Sequence, residues 1–372
     1  MVSIHVTIRR TMTTLLVAAA VSACGQAAQP ASRAPSPDRA ARNAAYAFLD
    51  GYTDPDGRVV RRDQGGDTVS EGQAYGMLAA AAVADGVRFD RIWRWTRANL
   101  MRPDGLLSFH WANGAVQDPE SAADADLDAA RALLVASCSL RRPSLRAAAV
   151  RLGRAVLAHE TGRPAGGLVL AAGPWAVGGP RTVVNPSYLD PQTLVGLARA
   201  SGDGRFSEMA RDGRRVIGAL AQPLPPDWAT VASATGTATA AAAAGGDAGP
   251  GHFTFDAPRT LVRLATDPDP AGRQIAARAW PVFRGHPADT IVVEHELDGR
   301  PAGGTHHPVA LVGAAGAASA AGDHTASRRL LDAAAALQRA HPTYYGAAWV
   351  ALGRLMLTTD RLQARSCPKH AG

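Results

Sequence analysis

The chain has 372 residues, of which 47% are hydrophobic, and a formal net charge of +7. This length allows a large core, and short blocks of Ala and Leu broken by Gly and Pro favour many medium helices over a long sheet. The positive charge comes from Arg spread among Asp and Glu, and no basic run with aromatic residues stands out. We therefore expect no nucleic-acid partner.

The first 24 residues have the pattern of an export signal, in which a basic pair at 9–10 precedes an apolar run at 15–21. That run is too short to span a membrane, and no later stretch is long enough. The sequence Val-Ser-Ala-Cys ending at Cys24 resembles a bacterial lipobox, with plain cleavage near Ala23 as the alternative. We expect a periplasmic or outer-membrane-anchored lipoprotein, or a secreted one, with membrane contact only through the lipid.

The rest of the chain divides into three parts. Residues 25–37, rich in Ala, Pro, Ser and Gln, indicate a tether. Residues 38–360 form one predicted domain, and residues 361–372 a C-terminal tail. Cys138 lies in an apolar helix and is interpreted as a core residue, and a disulfide with Cys367 is the alternative.

The pattern within the domain predicts twelve helices, at 38–51, 71–85, 88–100, 124–139, 143–159, 187–201, 203–221, 255–267, 270–282, 307–321, 323–339 and 342–357. Every second helix, starting with the second, begins beside a polar or aromatic cluster, whereas the others carry Arg and Asp on one face. This alternation is expected of a closed ring of α-hairpins, although a solenoid of helix pairs would show it too. We interpret 160–184 and 284–306 as long connections and 230–251 as a flexible surface loop.

Metal chemistry is disfavoured. Asp124, Asp126 and Asp128 open a helix, where capping is the simplest interpretation, and the glycine turn and final Glu of a calcium loop are absent. His306 and His307 are adjacent and do not make a zinc motif. Because no nucleophile elbow or phosphate loop occurs either, the remaining chemistry is that of carboxylates, and we expect no metal and no cofactor.

The helix that begins near residue 71 is the clearest candidate for a site. Ser70 is a plausible N-cap, and Asp67 and Glu71 lie where the helix dipole favours negative charge. An ordinary capped helix would explain them. Small residues beside Glu71 and Gln73, however, indicate close approach of another backbone or of a ligand.

Glycoside hydrolysis needs two carboxyl groups, one protonated and one ionised, and aromatic rings on which sugars can stack. The candidate rings are Trp93, Trp95, Trp111, Trp175, Tyr188, Tyr344 and Tyr345. Trp93 and Trp95 lie in an outer helix, so we expect at least one of them to belong to the core.

Four segments together resemble the motifs of glycoside hydrolase family 8, the bacterial cellulase family. They are 70–77 (Ser-Glu-Gly-Gln-Ala-Tyr-Gly-Met), 123–128 (Ala-Asp-Ala-Asp-Leu-Asp), 185–189 (Asn-Pro-Ser-Tyr-Leu) and 255–260 (Phe-Asp-Ala-Pro-Arg-Thr). They occur in the order of the family, and the resemblance covers about residues 42–358. It is greatest to the periplasmic endoglucanases of bacterial cellulose-synthesis systems.

The resemblance implies an all-α (α/α)6 barrel of six inner and six outer helices that hydrolyses β-1,4-glucan with inversion. Separately, we expect a monomer. It implies that Glu71 is the general acid, that Asp256 is the general base and that Asp124 binds the sugar at the cleavage site. Tyr188 and Arg259 would position the water and the base. The other residues expected to bind substrate are Gln73, Tyr75, Trp111, Tyr344 and Tyr345.

Two departures from the family pattern concern aromatic residues. Phe255 stands where a Tyr usually precedes the base, and residues 182–184 lack an aromatic often seen there. These departures affect substrate choice more than reaction type, so xylan and chitosan remain alternative substrates. A weakly catalytic glycan-binding lipoprotein of an exopolysaccharide assembly is the alternative of another class.

Overall fold

The computed structural model describes residues 35–247 and 249–363. The predicted export signal, the lipidation site at Cys24, most of the tether, and Cys367 lie outside these residues. Cys138 is half-buried, so its interpretation as a core residue is wrong, and it is disulfide-bonded. No helix in the described residues is both long and apolar enough to cross a membrane.

Thirteen α-helices make up most of the described chain. In order they are α1 (Pro37–Tyr52), α2 (Ser70–Ala82), α3 (Gly86–Asn99), α4 (Ala123–Ser139), α5 (Ser144–His159), α6 (Pro191–Ser201), α7 (Arg205–Leu220), α8 (Ala257–Ala265), α9 (Pro270–Ala277), α10 (Trp280–Phe283), α11 (Pro308–Ala320), α12 (His324–Ala340) and α13 (Tyr344–Thr358). Apart from the single turn α10, they correspond one to one with the twelve predicted helices.

Six of these helices form a closed inner ring. Going around it, α2 packs on α4, α4 on α6, α6 on α8, α8 on α11, α11 on α13, and α13 returns to α2. The outer helices α1, α3, α5, α7, α9 and α12 each pack against this ring. Since the last inner helix contacts the first, the predicted (α/α)6 barrel is confirmed and the solenoid alternative is excluded.

Burial explains which helices lie inside. Nearly every residue of α2, α4 and α11 is buried, as expected for helices enclosed on all sides. In the outer helix α7, by contrast, buried Phe206, Met209 and Ile217 form an apolar stripe, and other positions such as Arg205, Arg211 and Arg215 are exposed. Glycine allows close backbone contact between two inner helices, because a Cβ on Gly316 of α11 would lie 2.9 Å from the backbone of Leu261 on α8.

Ten short strands lie in the connections. They are β1 (Thr68–Val69), β2 (His110–Ala112), β3 (Ala115–Asp118), β4 (Thr161–Gly162), β5 (Val169–Leu170), β6 (Arg181–Val184), β7 (Trp228–Ala232), β8 (Ala238–Ala241), β9 (His252–Phe253) and β10 (His295–Glu296). They form two three-stranded and two two-stranded sheets.

The prediction of a flexible loop at 230–251 is wrong for the first half of this segment. β7 pairs antiparallel with both β6 and β8, and Ala229, Val231 and Ala241 are buried. Alternate residues of β7 face the protein, so small and β-branched side chains are enough to hold a half-buried strand. The predicted connections at 160–184 and 284–306 likewise contain short strands, β4 to β6 and β10.

A neutral cluster of two Arg and two Asp side chains occupies the barrel interior. Arg131 bonds Asp190 at 2.8 Å, and Arg263 bonds Asp128 through both terminal nitrogens at 2.9 and 2.8 Å. Arg263 also lies 3.6 Å from Asp190, which links the two pairs. Because all four side chains are buried, each charge depends on its partners, and the cluster fixes α4, the start of α6 and α8 relative to one another.

Candidate active site

The N-terminal ends of α2, α4 and α8 bring together the three carboxyl groups that the sequence indicated. Glu71 lies in the first turn of α2, Asp124 in the first turn of α4, and Asp256 is the N-cap residue of α8. Three inner helices thus present these groups at one end of the barrel, as predicted. The predicted N-cap at Ser70 is wrong, because Ser70 is already helical and Val69 precedes the helix without a side-chain cap.

Arg259 connects two of these carboxyl groups. One terminal nitrogen, Nη1, donates to Asp124 Oδ2 at 2.8 Å, and Nη2 donates to Asp256 Oδ1 at 2.7 Å. Tyr75 Oη lies 3.2 Å from Nη1, and the ring of Tyr188 lies 5.5 Å from the guanidinium carbon. The cation is therefore held on several sides and fixes Asp124 and Asp256 relative to each other.

Asp256 has a second fixed partner. Asn185 Nδ2 donates to Asp256 Oδ2 at 2.9 Å, and Asn185 Oδ1 in turn accepts from the backbone and hydroxyl of Ser187. The side chain of Asp256 is 31% exposed, so one face of the carboxylate remains open to the cleft. Asn185 belongs to a motif that the sequence indicated, but its contact with Asp256 required the structure.

Glu71 is in a different environment. Its side chain is partly buried, and the hydroxyl of Ser70 donates to Glu71 Oε2 at 3.3 Å. Burial, followed by the nearby charge of Asp124, raises the pKa of Glu71 to about 8, although Arg259 and Arg61 oppose the shift. The carboxyl group is therefore protonated at neutral pH and can donate a proton.

The three Asp residues of the run at 124–128 have three separate partners, so simple capping does not explain them. Asp124 bonds Arg259, Asp126 Oδ1 accepts from the Leu107 backbone N–H at 3.0 Å, and Asp128 bonds Arg263. Burial raises the pKa of Asp124 as well, against the effect of Arg259. Only Asp124 of the three contacts the site.

Aromatic rings extend the site on the side of Tyr188. The Tyr188 ring meets Trp228 edge-on with centroids 6.0 Å apart, and Trp228 lies 6.5 Å from Trp175, which is 44% exposed. Residues 182–184, where the family pattern suggested an aromatic, form the buried part of β6. Trp228 was missed by the sequence analysis because it lies in the segment beside the supposed loop.

A second aromatic group borders Asp256. Phe255 is 39% exposed and meets the imidazole of His307, which stacks on Tyr345. Tyr345 Oη donates to the Phe255 carbonyl oxygen at 2.9 Å. Burial lowers the pKa of His307 to about 4, so the ring is neutral and packs as an aromatic surface.

Three predicted substrate-binding side chains lie inside the protein. Gln73 is fully buried, and its carboxamide accepts from Val59 N and donates to Thr96 Oγ1, so it stabilises the barrel wall. Tyr75 is 2% exposed and supports Arg259, and Tyr344 is 3% exposed. For these three residues the expected contact with substrate is not what the structure shows.

Trp111 packs against Trp95 of α3. Trp95 is buried, which confirms that at least one tryptophan of the outer helix packs in the core. Trp111 is half-buried between the Trp95 ring, 5.2 Å away, and the guanidinium of Arg58, 5.1 Å away. Its expected contact with a sugar stays a prediction.

Gly72 admits a close neighbour beside Glu71, but this is the side chain of Tyr344 and not the backbone or ligand that was expected. A Cβ at this position would lie 2.5 Å from Tyr344 Oη and 3.4 Å from the adjacent ring carbon. The same hydroxyl is buried and has no hydrogen-bond partner among the described residues. The small residue is thus needed to admit the hydroxyl of Tyr344.

This contact leads to a test by thermal unfolding. Gly72→Ala should lower Tm because the new methyl group meets Tyr344 Oη. Tyr344→Phe alone should leave stability unchanged or raise it by about 1 kcal/mol, because it removes a buried hydroxyl that lacks a partner. The double variant should regain most of the loss. Equal losses for Gly72→Ala in both backgrounds would contradict this explanation.

The described residues contain no cluster of three or more His, Cys, Asp or Glu side chains arranged to hold a metal ion. What the site does contain is a protonated carboxyl group, a carboxylate bound to Arg and Asn, and exposed aromatic rings. These are the groups needed to cleave a bond between sugars, so the fold and site together indicate a glycoside hydrolase.

Comparison with known proteins identifies the family of glycoside hydrolase. The model of the glycosyl hydrolases family 8 matches residues 32–359, and the chain therefore belongs to this family. A probable endoglucanase of Novacetimonas hansenii is 35% identical over 235 residues, which is 60% of this chain and 66% of the relative. An endoglucanase of Xanthomonas axonopodis pv. citri (strain 306) is 35% identical over 196 residues, 49% of this chain and 50% of the relative.

A solved structure extends the likeness to the whole fold. The endo-beta-1,4-glucanase CMCax from Acetobacter xylinum superposes with a TM-score of 0.72 and 28% identity. The superposition covers 87% of this chain and 100% of CMCax. The sequence alignments, in contrast, span half to about two thirds of the two relatives named above.

Proposed function

We propose that this protein is an endo-β-1,4-glucanase that hydrolyses its substrate with inversion. The observation that carries the proposal is the contrast between two carboxyl groups at one end of the barrel. Glu71 is held protonated by burial, whereas Asp256 accepts hydrogen bonds from a guanidinium and an amide and is partly exposed. Such a pair suits an acid and a base acting on one glycosidic bond.

In the proposed mechanism Glu71 gives its proton to the oxygen that leaves with the departing sugar. Asp256 accepts a proton from a water molecule that attacks the anomeric carbon from the opposite face. Arg259 aligns Asp256 and also holds Asp124, which is fully buried and whose other oxygen accepts from the Ala125 backbone N–H at 3.0 Å. For inversion, the carboxyl groups of Glu71 and Asp256 should stand about 6.5–9.5 Å apart.

The substrate class rests on the relatives and on the aromatic rings. Two relatives are named endoglucanases and CMCax an endo-beta-1,4-glucanase. Exposed Trp175 and Phe255 belong to two separate aromatic groups, which suits a sugar chain that contacts more than one ring. We infer the same substrate here, with a monomer sufficient because all the named groups come from one chain.

We also propose that residues 1–24 direct export, with Cys24 lipidated, and that residues 25–37 tether the barrel. Mass spectrometry of the protein from its native host tests this. A diacylated Cys24 at the mature N-terminus is expected. An intact Met1 would contradict export, and an unmodified N-terminus beyond Cys24 would contradict only the lipid.

Product analysis tests the activity itself. The protein should release reducing ends from soluble β-1,4-glucan faster than from xylan or chitosan, and NMR should show the α-anomer of the new reducing end first. The β-anomer appearing first would contradict inversion. Binding of glucan without release of reducing ends would favour the alternative, a glycan-binding protein.

A further inference from the structure

Asp227 is a buried carboxyl group for which the proposed mechanism has no use. It immediately precedes β7 and is 8% exposed. Its Oδ1 accepts from the backbone N–H of Ala257 at 2.6 Å and from that of Thr254 at 3.1 Å, and its Oδ2 accepts from the Thr254 hydroxyl. These contacts lie on both sides of Asp256 in the chain.

The contacts supply a cap to the helix that carries Asp256. Ala257 is the first residue of α8, and the N–H groups in the first turn of a helix have no acceptor within the helix. An Asp at the N-cap commonly turns its own carboxylate onto these donors, but the side chain of Asp256 makes no such bond. Asp227, which comes from a different segment of the chain, accepts the Ala257 N–H instead.

The remaining donors of that turn are also accounted for. Pro258 has no N–H, and the Arg259 N–H donates to the backbone carbonyl of Asp256 at 3.0 Å. With Asp227 on Ala257, no donor in the first three positions of α8 is left for the carboxylate of Asp256. That carboxylate is therefore free to bond Arg259 and Asn185 and to face the cleft.

We infer that Asp227 is a positioning residue for the general base, which it acts on by capping α8 in place of Asp256. This inference rests on the proposed role of Asp256. Without Asp227, the backbone N–H groups of Thr254 and Ala257, on either side of Asp256, would lose their acceptor. The segment that carries the base could then shift, and the carboxylate of Asp256 would lose its alignment with the attacking water.

Two substitutions separate the cap from other effects. Asp227→Ala should lower kcat by about 10²-fold, as expected for a displaced catalytic group, with KM changed by no more than about twofold. Asp227→Asn keeps an oxygen that can accept from Ala257 and Thr254, so it should retain kcat to within about fivefold. Rescue by the conservative variant is not expected if Asp227 acts through its charge.

A second measurement shows whether the substitution affects water attack or departure of the leaving group. Asp227→Ala should lower kcat equally on β-1,4-glucan and on an aryl glycoside with a good leaving group, because water attack is needed for both. Asp212→Ala is the control for a loss of stability alone. Asp212 is also buried and accepts a backbone N–H, that of Leu168 at 2.9 Å, and its loss should lower Tm while leaving kcat of the folded protein within about threefold.

The inference would be overturned by wild-type kcat in folded Asp227→Ala, by a loss confined to the natural leaving group, or by a rise in KM alone. If Asp227→Ala does not fold, Thr254→Val removes one of the three contacts and should lower kcat about tenfold, with unchanged KM; no change in kcat would then decide against the inference. The role of Asp256 is tested separately. Activity retained in Asp256→Asn would refute the proposed function whatever Asp227 does.

Discussion

Asp256→Asn is expected to abolish hydrolysis, with kcat lowered by at least about 10³-fold. The amide has nearly the same shape but cannot accept the proton of the attacking water. The loss should be the same for β-1,4-glucan and for an aryl glycoside whose leaving group departs without help, since either reaction needs an activated water. Initial rates of both substrates measure this.

Asp267→Asn is a matched control. Asp267 is also a buried carboxylate paired with an arginine, since Arg214 Nε lies 2.6 Å from its Oδ2, but it is at the end of α8 away from the cleft. This variant should lose stability and keep its turnover. Near-normal rates in Asp256→Asn would mean that the base is another group, and the assignment of roles would have to be revised.

Glu71→Gln should lower kcat on β-1,4-glucan by about 10²–10⁴-fold, because the amide cannot donate the proton that the leaving oxygen needs. Aryl glycosides with good leaving groups should keep much of their rate, unlike in Asp256→Asn. The two variants thus differ in which substrates they spare. Equal loss on both substrates would show that Glu71 is not the acid.

The pH profile provides an independent measurement. Since the pKa of Glu71 is raised to about 8, kcat/KM of the wild-type protein on β-1,4-glucan should fall above this pH as the proton is lost. Glu160 is the matched control, because burial raises its pKa to about 8 as well, but it bonds Ser121 and contacts none of the proposed catalytic groups. Glu160→Gln should therefore leave the alkaline fall unchanged.

The pH dependence of stability should also show the ionisation of Glu71. The pKa of Glu71 is raised from 4.5 in the unfolded chain to about 8, so the folded state binds this proton more tightly. The resulting stabilisation is complete below pH 4.5 and is lost as pH rises through about 8. Glu71→Gln removes this dependence, and its Tm relative to wild type should increase between pH 5 and 9. A constant difference would contradict the shifted pKa.

The amino-acid sequence by itself determined the number of helices, their order and which of them lie inside. Helices enclosed on every side, such as α11, must be apolar all around, whereas an outer helix such as α7 needs one apolar stripe. These differences are local, because each can be recognised from the order of apolar and polar residues within one helix. For the same reason the positions of Glu71, Asp124 and Asp256 at the starts of inner helices could be predicted.

The tertiary structure alone decided which side chains of an inner helix face the cleft. An apolar helix has no polar face that marks its direction, so Gln73, Tyr75 and Tyr344 could not be separated from true cleft residues before their partners were known. Asp227 and Trp228 reach the site because β7 pairs with β6, and a pairing between segments so distant in sequence leaves no local pattern. Local residue patterns thus determined the helices, and long-range packing determined which side chains meet in the site.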